Sequence, residues 1–302
     1  MKRILLLGAN GQVGWELRRS LAPLGELIAC TRNEADLANP EQLQRLVEGF
    51  KPNVIVNAAA YTAVDKAESD EATARQVNAE SVGLLADLAA KHEAWLVHYS
   101  TDYVFDGLAA RPYAETDATQ PMSVYGRTKR DGEEAIAASG CQHLIFRTSW
   151  VYAARGNNFA KTMLRLASER DSLKVVADQV GAPTSAELIA DVTALALYRL
   201  RYDSEFAERA GGLYHLAASG ETSWHGYAAY VLDKAEQQGQ IFNVTSAQVQ
   251  PIKTTEYPTP AKRPLNSRLG LSKIEATFCL KMPHWRAHVD RLLIQIADGS
   301  LR

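Results

Sequence analysis

A glycine-rich turn near the amino terminus constrains the fold of this 302-residue sequence more than any other feature. A short run from Arg3 to Leu7, apolar after its first residue, precedes Gly8, Gly11 and Gly14, and a helical pattern follows. Glycines at such a junction let the backbone approach a pyrophosphate, whose charge the N–H groups and dipole of the helix N-terminus stabilise. The sequence therefore predicts a strand, a phosphate-binding turn and a helix.

Further strands and helices alternate through the first half of the chain. Short apolar runs predict the strands Glu26–Cys30, Val54–Asn57, Trp95–Tyr99 and Leu144–Trp150. A long helical pattern over about 71–91 leads into the third of these. Such alternation is typical of an α/β protein with a Rossmann-type doubly wound parallel sheet. We expect a dinucleotide-binding domain over 1–152, to which 186–218 returns, and a smaller α/β substrate-binding domain over 153–302.

The composition excludes several other classes of protein. With 46% hydrophobic residues, 23% charged residues and a net charge of −2, the chain resembles an ordinary soluble globular protein. No basic tract indicates a nucleic-acid or membrane-surface partner, and no apolar run reaches the ~20 residues that span a bilayer. The three cysteines are isolated and no signal peptide is evident, so we expect reduced thiols and a cytoplasmic location.

The stretch that follows the strand Trp95–Tyr99 carries candidate catalytic side chains. Thr101 stands at the strand end, and Tyr125 and Lys129 are four residues apart on a predicted helix, so they share one face. A free phenol has a pKa near ~10, and a neighbouring ammonium lowers it. The same spacing is common on ordinary helix surfaces, but here it predicts a proton-transfer site.

The end of the second strand bears on cofactor choice. Folds that select NAD usually place an acid here for the ribose hydroxyls, whereas this chain has Thr31-Arg32. Arg32 would pair with the 2′-phosphate of NADP; the alternative is an ordinary surface arginine. Asp36 and Leu37 are expected beneath the adenine ring. We predict NADPH as the cofactor, with NADH as the alternative.

The carboxyl-terminal third offers weaker signals. The proline-rich segment 257–268 forbids long helices and strands, and Arg263 and Arg268 within it either clamp a diphosphate or are solvated. His284 and His288 have helical spacing but no evident third ligand, so the sequence predicts no metal site there.

Three features together resemble the extended branch of the short-chain dehydrogenase/reductases: the glycine turn, the Ser100-Thr101-Asp102 element and the Tyr125/Lys129 pair. More narrowly, four segments that span nearly the whole chain resemble the dTDP-4-dehydrorhamnose reductase family. These segments are 54–68, 98–105, 146–152 and 263–268.

The resemblance implies reduction of the C4 carbonyl of dTDP-4-dehydro-6-deoxy-L-mannose to dTDP-L-rhamnose for cell-surface polysaccharide. It implies that Tyr125 protonates the developing alkoxide, that Thr101 polarises the same oxygen, and that Lys129 holds the nicotinamide ribose and tunes the phenol. By matching position, the cofactor would be lined by Gly8, Gly11, Gln12, Val13, Gly14, Thr31, Arg32, Asp36, Leu37, Ala60, Tyr61, Thr62, Tyr99, Tyr125 and Lys129. The dTDP-sugar would contact Thr101, Asp102, Trp150, Arg263 and Asn266.

The resemblance also implies a homodimer, which in some members is bridged by Mg²⁺ through glutamates. Glu16 and Glu187 match two of the ligand positions, but Arg286 falls at the third. A guanidinium has no lone pair to give and repels a cation. We therefore predict that no metal binds and that Arg286 instead pairs with Glu16 or Glu187, so that a salt bridge replaces the metal in holding the subunits together.

Two alternatives remain open at this level. A sugar-nucleotide dehydratase or epimerase of the same branch would share the fold but retain its nucleotide through the catalytic cycle. A non-catalytic protein, like the regulatory subunit of methionine adenosyltransferase, would act by binding a partner.

Overall fold

The computed structural model describes residues 2–297 of the chain. Its strands are β1 Lys2–Leu7, β2 Gly25–Cys30, β3 Val54–Asn57, β4 Trp95–Thr101, β5 His143–Thr148, β6 Val151–Tyr152, β7 Lys174–Val176, β8 Val180–Gly181, β9 Thr184–Ser185, β10 Gly212–His215, β11 Thr222–Ser223 and β12 Gln250–Ile252. Its helices are α1 Gln12–Leu21, α2 Pro40–Phe50, α3 Val64–Ala67, α4 Glu71–Arg75, α5 Ser81–Lys91, α6 Val124–Ser139, α7 Phe159–Glu169, α8 Ala186–Tyr202, α9 Ser204–Arg209, α10 Trp224–Gln237, α11 Ser272–Phe278 and α12 Trp285–Ala297.

Six parallel strands form the central sheet, in the order β10-β5-β4-β3-β1-β2. The order reverses on either side of β1, which pairs with β2 on one edge and β3 on the other. In open sheets of this kind ligands bind outside the carboxyl ends of the strands at that reversal. The doubly wound parallel sheet predicted from the sequence is therefore confirmed.

The strand sequences explain their places in the sheet. All four residues of β3 and the last four of β1 are buried, as expected for inner strands covered on both faces. β2 alternates between partly buried and exposed residues because it is the edge strand. β5 ends at Thr148, two residues before the predicted end at Trp150.

The first turn requires glycine at two positions. Gly8 has a φ of +79°, and a Cβ atom there would lie 2.7 Å from the backbone nitrogen of Ala59. A Cβ on Gly14 would lie 2.0 Å from the carbonyl oxygen of Gly8. Only glycine permits this approach of α1 to the end of β1, and the turn follows from the sequence for that reason.

The second half of the chain adds short paired strands and helices around the end of the sheet. β6 pairs with β9, β7 with β12 and β8 with β11. One apolar core runs from Ile4 and Leu6 of β1 to Trp285 and Leu293 of α12. After β9 the chain returns to the central sheet, where β10 pairs with β5. The division into domains at residue 152 stays a prediction.

None of the helices within residues 2–297 is both long and apolar enough to cross a membrane.

Candidate active site

A cleft of about 730 Å³ opens at the carboxyl ends of β1, β3, β4 and β5. It gathers most of the side chains expected at a site, although they come from six separate parts of the sequence. The predicted residues that line it are Gly8, Gly11, Gln12, Val13, Arg32, Asp36, Leu37, Ala60, Tyr61, Thr62, Tyr99, Thr101, Asp102, Tyr125, Lys129 and Trp150.

Other predicted residues lie outside this cleft. Gly14 lies beneath the turn, packed against Gly8. The Thr31 hydroxyl and N–H both donate to the Glu34 carboxylate, at 3.0 and 2.8 Å. Arg263 lines a separate depression of about 390 Å³.

Asn266 also lies away from the cleft. Its amide donates to the carbonyl oxygens of Ala109 and Arg111, both at 2.8 Å, so the side chain holds two loops together.

The N-terminus of α1 has the properties of an anion site. Gly11 is its N-cap, no side chain caps the helix, and the first turn carries no acid. The first N–H groups of a helix have no partner within the helix, and here no cap consumes them. The buried Oε1 atom of Gln12 likewise has no hydrogen-bond partner among the described residues. The free N–H groups suit a pyrophosphate, whereas the Gln12 oxygen would accept from a donor on a ligand.

Arg32 lies at the rim of the cleft beyond β2. Its side chain is 75% exposed, and its Nε lies 3.3 Å from Oδ2 of Asp36. Asp36 also accepts a hydrogen bond from the N–H of Ala38, which holds the carboxylate in place. A guanidinium so placed can reach a second anion, because exposed ion pairs of this kind are weak.

Thr101 and Tyr125 meet within the cleft. The Thr101 hydroxyl donates to Oδ1 of Asp102 at 3.1 Å and accepts from the N–H of Tyr103 at 3.1 Å, where β4 ends. Tyr125 lies in the first turn of α6, which Ser123 caps, and its ring packs edge-on against Tyr103 at 5.6 Å. The threonine and tyrosine are thus positioned by a strand end and a helix start.

Burial raises the pKa of Tyr125 above its ordinary value, and a hydrogen bond with Thr101 opposes that rise only in part. The expectation that Lys129, with the bound cofactor, tunes this phenol stays a prediction. With its pKa raised, the phenol keeps its proton at neutral pH.

Lys129 is 1% exposed and is held by atoms of β4. Its Nζ donates to the carbonyl oxygen of Tyr99 at 2.7 Å and lies 2.9 Å from Nε2 of His98. Burial lowers the pKa of Lys129 to about 8, although Glu133 opposes the shift. Desolvation disfavours the charged amine, and a bound hydroxyl would find a hydrogen-bonding group here.

Several buried polar atoms facing the cleft have no hydrogen-bond partner among residues 2–297. They are the hydroxyls of Ser100, Thr148 and Ser149 and the Oδ2 atom of Asp102. Burial raises the pKa of Asp102 to about 6. Buried polar atoms are normally paired, so this group indicates a polar ligand. The sequence analysis missed the hydroxyls of β5, although the run Thr148-Ser149 at a strand end was a signal for them.

Trp150 forms the far wall of the cleft in a strained conformation. Its φ is +51°, and its indole stacks on that of Trp224 with the ring centroids 3.6 Å apart. A Cβ on Gly181 would lie 2.7 Å from the Trp150 ring, so only glycine leaves room for it. Strain of this kind at a cleft is often functional. Nothing in the sequence identified Trp224 as the stacking residue.

The two arginines of segment 257–268 have different surroundings. Arg263 pairs with Asp65 at 2.6 Å and donates to the Tyr103 hydroxyl at 3.1 Å, so it lies between the cleft and the second depression. Arg268 donates to Asn266 at 2.8 Å and pairs with Glu221 at 3.0 Å. These contacts tie Arg268 to neighbouring loops rather than to a diphosphate.

Glu16 and Glu187 are neighbours, since Glu187 helps raise the pKa of Glu16 after the larger effect of burial. The arginine that reaches Glu187 is Arg291, at 2.8 Å, and not Arg286. Within the chain, Arg286 lies over the rings of Tyr230 and Trp285, and its pairing across the subunit contact stays a prediction.

Over the part of the chain that the structure describes, no group of three or more His, Cys, Asp or Glu side chains could hold a metal ion.

Comparison with known proteins agrees with this geometry. A family model described as RmlD substrate binding domain matches residues 1–297. The dTDP-4-dehydrorhamnose reductases of Shigella flexneri and Escherichia coli K12 are each 52% identical over 297 residues, covering 97% of this chain and 97% of the relative.

Solved structures give the same result. A dTDP-4-dehydrorhamnose reductase from Clostridium acetobutylicum is 36% identical with a TM-score of 0.88, covering 97% of this chain and 99% of the other. The Bacillus anthracis reductase, solved in complex with NADP, is 32% identical with a TM-score of 0.86 and the same coverage. The glycine turn agrees with this likeness, and so does the cluster of Thr101, Tyr125 and Lys129. Because the likeness extends along the full described length, the chain belongs to the dTDP-4-dehydrorhamnose reductase family.

Proposed function

We propose that this protein reduces the C4 carbonyl of dTDP-4-dehydro-6-deoxy-L-mannose with NADPH and so forms dTDP-L-rhamnose for cell-surface polysaccharide. The observation that carries the proposal is the meeting of Thr101, Tyr125 and Lys129 in the cleft that begins at the glycine turn. The relatives at 52% identity carry the name of this reductase.

The residues present fit a dinucleotide. The uncapped N-terminus of α1 suits the pyrophosphate, and Gly8 and Gly11 line the cleft beside it. Ala58, Ala59 and Ala60 line the cleft with small side chains after β3. Arg32, at the rim of the cleft, is the candidate that would bind the 2′-phosphate. When bound, NADPH supplies the hydride that reduces the carbonyl carbon.

Tyr125 is the proton donor in this proposal. Its phenol is protonated at neutral pH because burial raises its pKa, so it holds the proton that a developing alkoxide needs. The hydroxyl of Thr101 lies beside it and would turn from Oδ1 of Asp102, to which it donates in this structure, to donate to the same oxygen. Lys129 presents Nζ from the floor of the cleft for a ribose hydroxyl.

The sugar is assigned to the polar wall formed by Asp102 and Ser149, with Trp150 as an apolar face. Unpaired hydroxyl and carboxyl atoms suit sugar hydroxyls, which both donate and accept hydrogen bonds. Arg263 lies at the boundary with the second depression and is the candidate for the diphosphate. Its guanidinium already meets Asp65, so the phosphate would share it.

We also propose that the protein works as a homodimer in the cytoplasm. Leu195, Tyr198 and Tyr202 of α8 are 52, 53 and 64% exposed. Their spacing of three and four residues places them on one side of the helix. Exposed apolar side chains grouped in this way are typical of an interaction surface, and a second copy of the chain is the occupant that we propose.

The test is to supply purified protein with dTDP-4-keto sugars and follow the loss of NADPH absorbance. We expect turnover with dTDP-4-dehydro-6-deoxy-L-mannose and none without the sugar. The Lys129→Met variant is the control for non-enzymatic oxidation. No turnover with any keto sugar would contradict the proposal, and protein that retains its nucleotide and interconverts sugars without net oxidation would indicate an epimerase or dehydratase.

A further inference from the structure

The first turn of α6, which carries Tyr125, packs very closely against the turn Asp102–Val104 at the end of β4. Gly126 is buried there, and a Cβ atom on it would lie 2.2 Å from the carbonyl oxygen of Tyr103 and 3.0 Å from Cβ of Pro121. A side chain cannot be accommodated so close to a backbone oxygen, so only glycine lets the helix and the turn meet in this way.

This contact joins the two candidate catalytic hydroxyls. The N–H of Tyr103 donates to the Thr101 hydroxyl at 3.1 Å, so the turn that Gly126 contacts also holds Thr101. The ring of Tyr103 packs edge-on against that of Tyr125 with the centroids 5.6 Å apart, and the Tyr125 phenol is hydrogen-bonded to Thr101. The separation of the helix from the turn therefore sets the distance between the phenol and the threonine hydroxyl.

A second contact fixes the start of α6 from another element. Oε1 of Glu68, the residue that ends α3, accepts from the backbone N–H of Val124 at 2.8 Å. The first N–H groups of a helix have no partner within it, and a carboxylate there also interacts favourably with the helix dipole. The Ser123 hydroxyl accepts from a different N–H, that of Gly126, at 3.1 Å. Glu68 thus caps the helix at the residue before Tyr125.

Apolar packing reinforces the contact between α3 and α6. A small buried cluster unites α3, α4 and α6; its members are Ala67, Ala74 and Val124, with Tyr61 and Tyr125 packed against them. Val124 is therefore held by its side chain as well as by its N–H group. Because Val124 and Tyr125 are adjacent on the helix, a shift of α6 relative to α3 would move the phenol.

We propose that Gly126 and Glu68 are positioning residues that hold the phenol of Tyr125 beside the Thr101 hydroxyl, so that both reach one carbonyl oxygen of the substrate. Gly126 sets how near the helix comes to the turn, and Glu68 sets where the helix begins. The inference rests on the proposed function for its catalytic meaning but not for the packing itself.

The geometry sets the size of the expected effects. A Cβ atom at position 126 must retreat from 2.2 Å to beyond 3.0 Å from the Tyr103 oxygen, so α6 or the turn must move by roughly 1 Å. A misplacement of about 1 Å lowers a rate by about 100-fold. Loss of the Glu68 contact removes one hydrogen bond and creates no clash, so we expect a smaller fall in kcat, of about five- to tenfold.

The first test observes the rings of Tyr103 and Tyr125 in the purified protein without substrate. In protein with ¹³C-labelled tyrosine the two rings should give a nuclear Overhauser cross-peak, which is assigned by its loss in Tyr103→Phe and in Tyr125→Phe. Gly126→Ala should abolish or weaken this cross-peak and lower kcat by about 100-fold.

Gly132→Ala is the matched control for this test. A Cβ atom on Gly132 would lie 2.2 Å from the carbonyl oxygen of Asn78, a clash of the same kind further along α6. It should lower the free energy of unfolding but leave the ring cross-peak in place. An unchanged cross-peak in Gly126→Ala, or an equal loss in Gly132→Ala, would overturn the proposal, whether or not the protein reduces any sugar.

The second test uses Glu68, where substitution introduces no clash, so it decides the proposal even where Gly126→Ala does not fold. Glu68→Ala removes the acceptor, whereas Glu68→Gln keeps an oxygen that accepts from Val124. We expect kcat to fall by about five- to tenfold in Glu68→Ala and to recover to within about twofold in Glu68→Gln, with KM for NADPH unchanged in both. An equal loss of kcat in the two variants would contradict the proposal.

The last comparison places Glu68→Ala in the Tyr125→Phe protein. If Glu68 acts through the position of the phenol, its effect disappears once the phenol is absent, and the double variant should keep the residual kcat of Tyr125→Phe to within about twofold. A merely structural role for Glu68 predicts a further loss as large as that in Glu68→Ala alone, and that result would refute the inference.

Discussion

Replacing Tyr125 by phenylalanine separates catalysis from folding, because the hydroxyl does little for the structure. Its one hydrogen bond in the described residues is with Thr101, while the ring packs against Tyr103 and would stay. Loss of one neutral hydrogen bond costs roughly 0.5–1.5 kcal/mol of unfolding free energy. Loss of a general acid costs about 10²–10⁴-fold in rate, or roughly 3–5.5 kcal/mol of barrier.

The predicted effect on kcat of Tyr125→Phe is therefore at least about 100-fold, clearly larger than any effect on stability. Three measurements check it: kcat from NADPH consumption, the free energy of unfolding in urea, and NADPH affinity by fluorescence titration. We expect a large fall in the first and near-wild-type values for the other two.

Tyr103→Phe is the matched control for this experiment. It removes a hydroxyl of the same kind, bonded to Arg263 at 3.1 Å, from a ring in contact with Tyr125. Its kcat should change by no more than about tenfold, the equivalent of one hydrogen bond. A near-normal kcat for Tyr125→Phe, or an equal loss in Tyr103→Phe, would refute Tyr125 as the proton donor.

Three further outcomes are expected. Arg32→Ala should reduce the preference for NADPH over NADH in kcat/KM by about ten- to a hundredfold, since a charge-assisted contact to the 2′-phosphate is worth roughly 1.5–3 kcal/mol; equal use of both cofactors by the wild type would contradict this. Asp102→Asn should stabilise the protein in urea at pH 7 by up to about 3 kcal/mol, because burial raises the pKa of Asp102 to about 6 and its ionisation above that pH opposes folding. The gain should vanish below about pH 4, where the carboxyl is protonated in both states, and a gain that persists there would disprove the cause. EDTA should change neither activity nor oligomeric state, because Arg291 lies 2.8 Å from Glu187; light scattering that shows dissociation reversed by Mg²⁺ would argue for a metal.

The features that the sequence predicted well depend on neighbours along the chain. The turn at Gly8 and Gly14 follows from the absence of a Cβ atom at a close contact. The shared face of Tyr125 and Lys129 follows from helical spacing. The parallel sheet follows from alternating apolar and helical runs, and the likeness to known reductases supported the same interpretation.

The remaining features depend on residues far apart in the chain. His98 is 41 residues from Asn57 and 31 from Lys129, so no local pattern places them in contact. The stacking of Trp150 on Trp224 and the pairing of Glu187 with Arg291 likewise require the chain to fold first. The contacts of Arg263 with Asp65 and Tyr103 also join parts of the chain that are far apart in sequence. Local spacing sets which side chains share a strand end or a helix face, whereas burial and long-range packing set which hydrogen bonds and charges those side chains find.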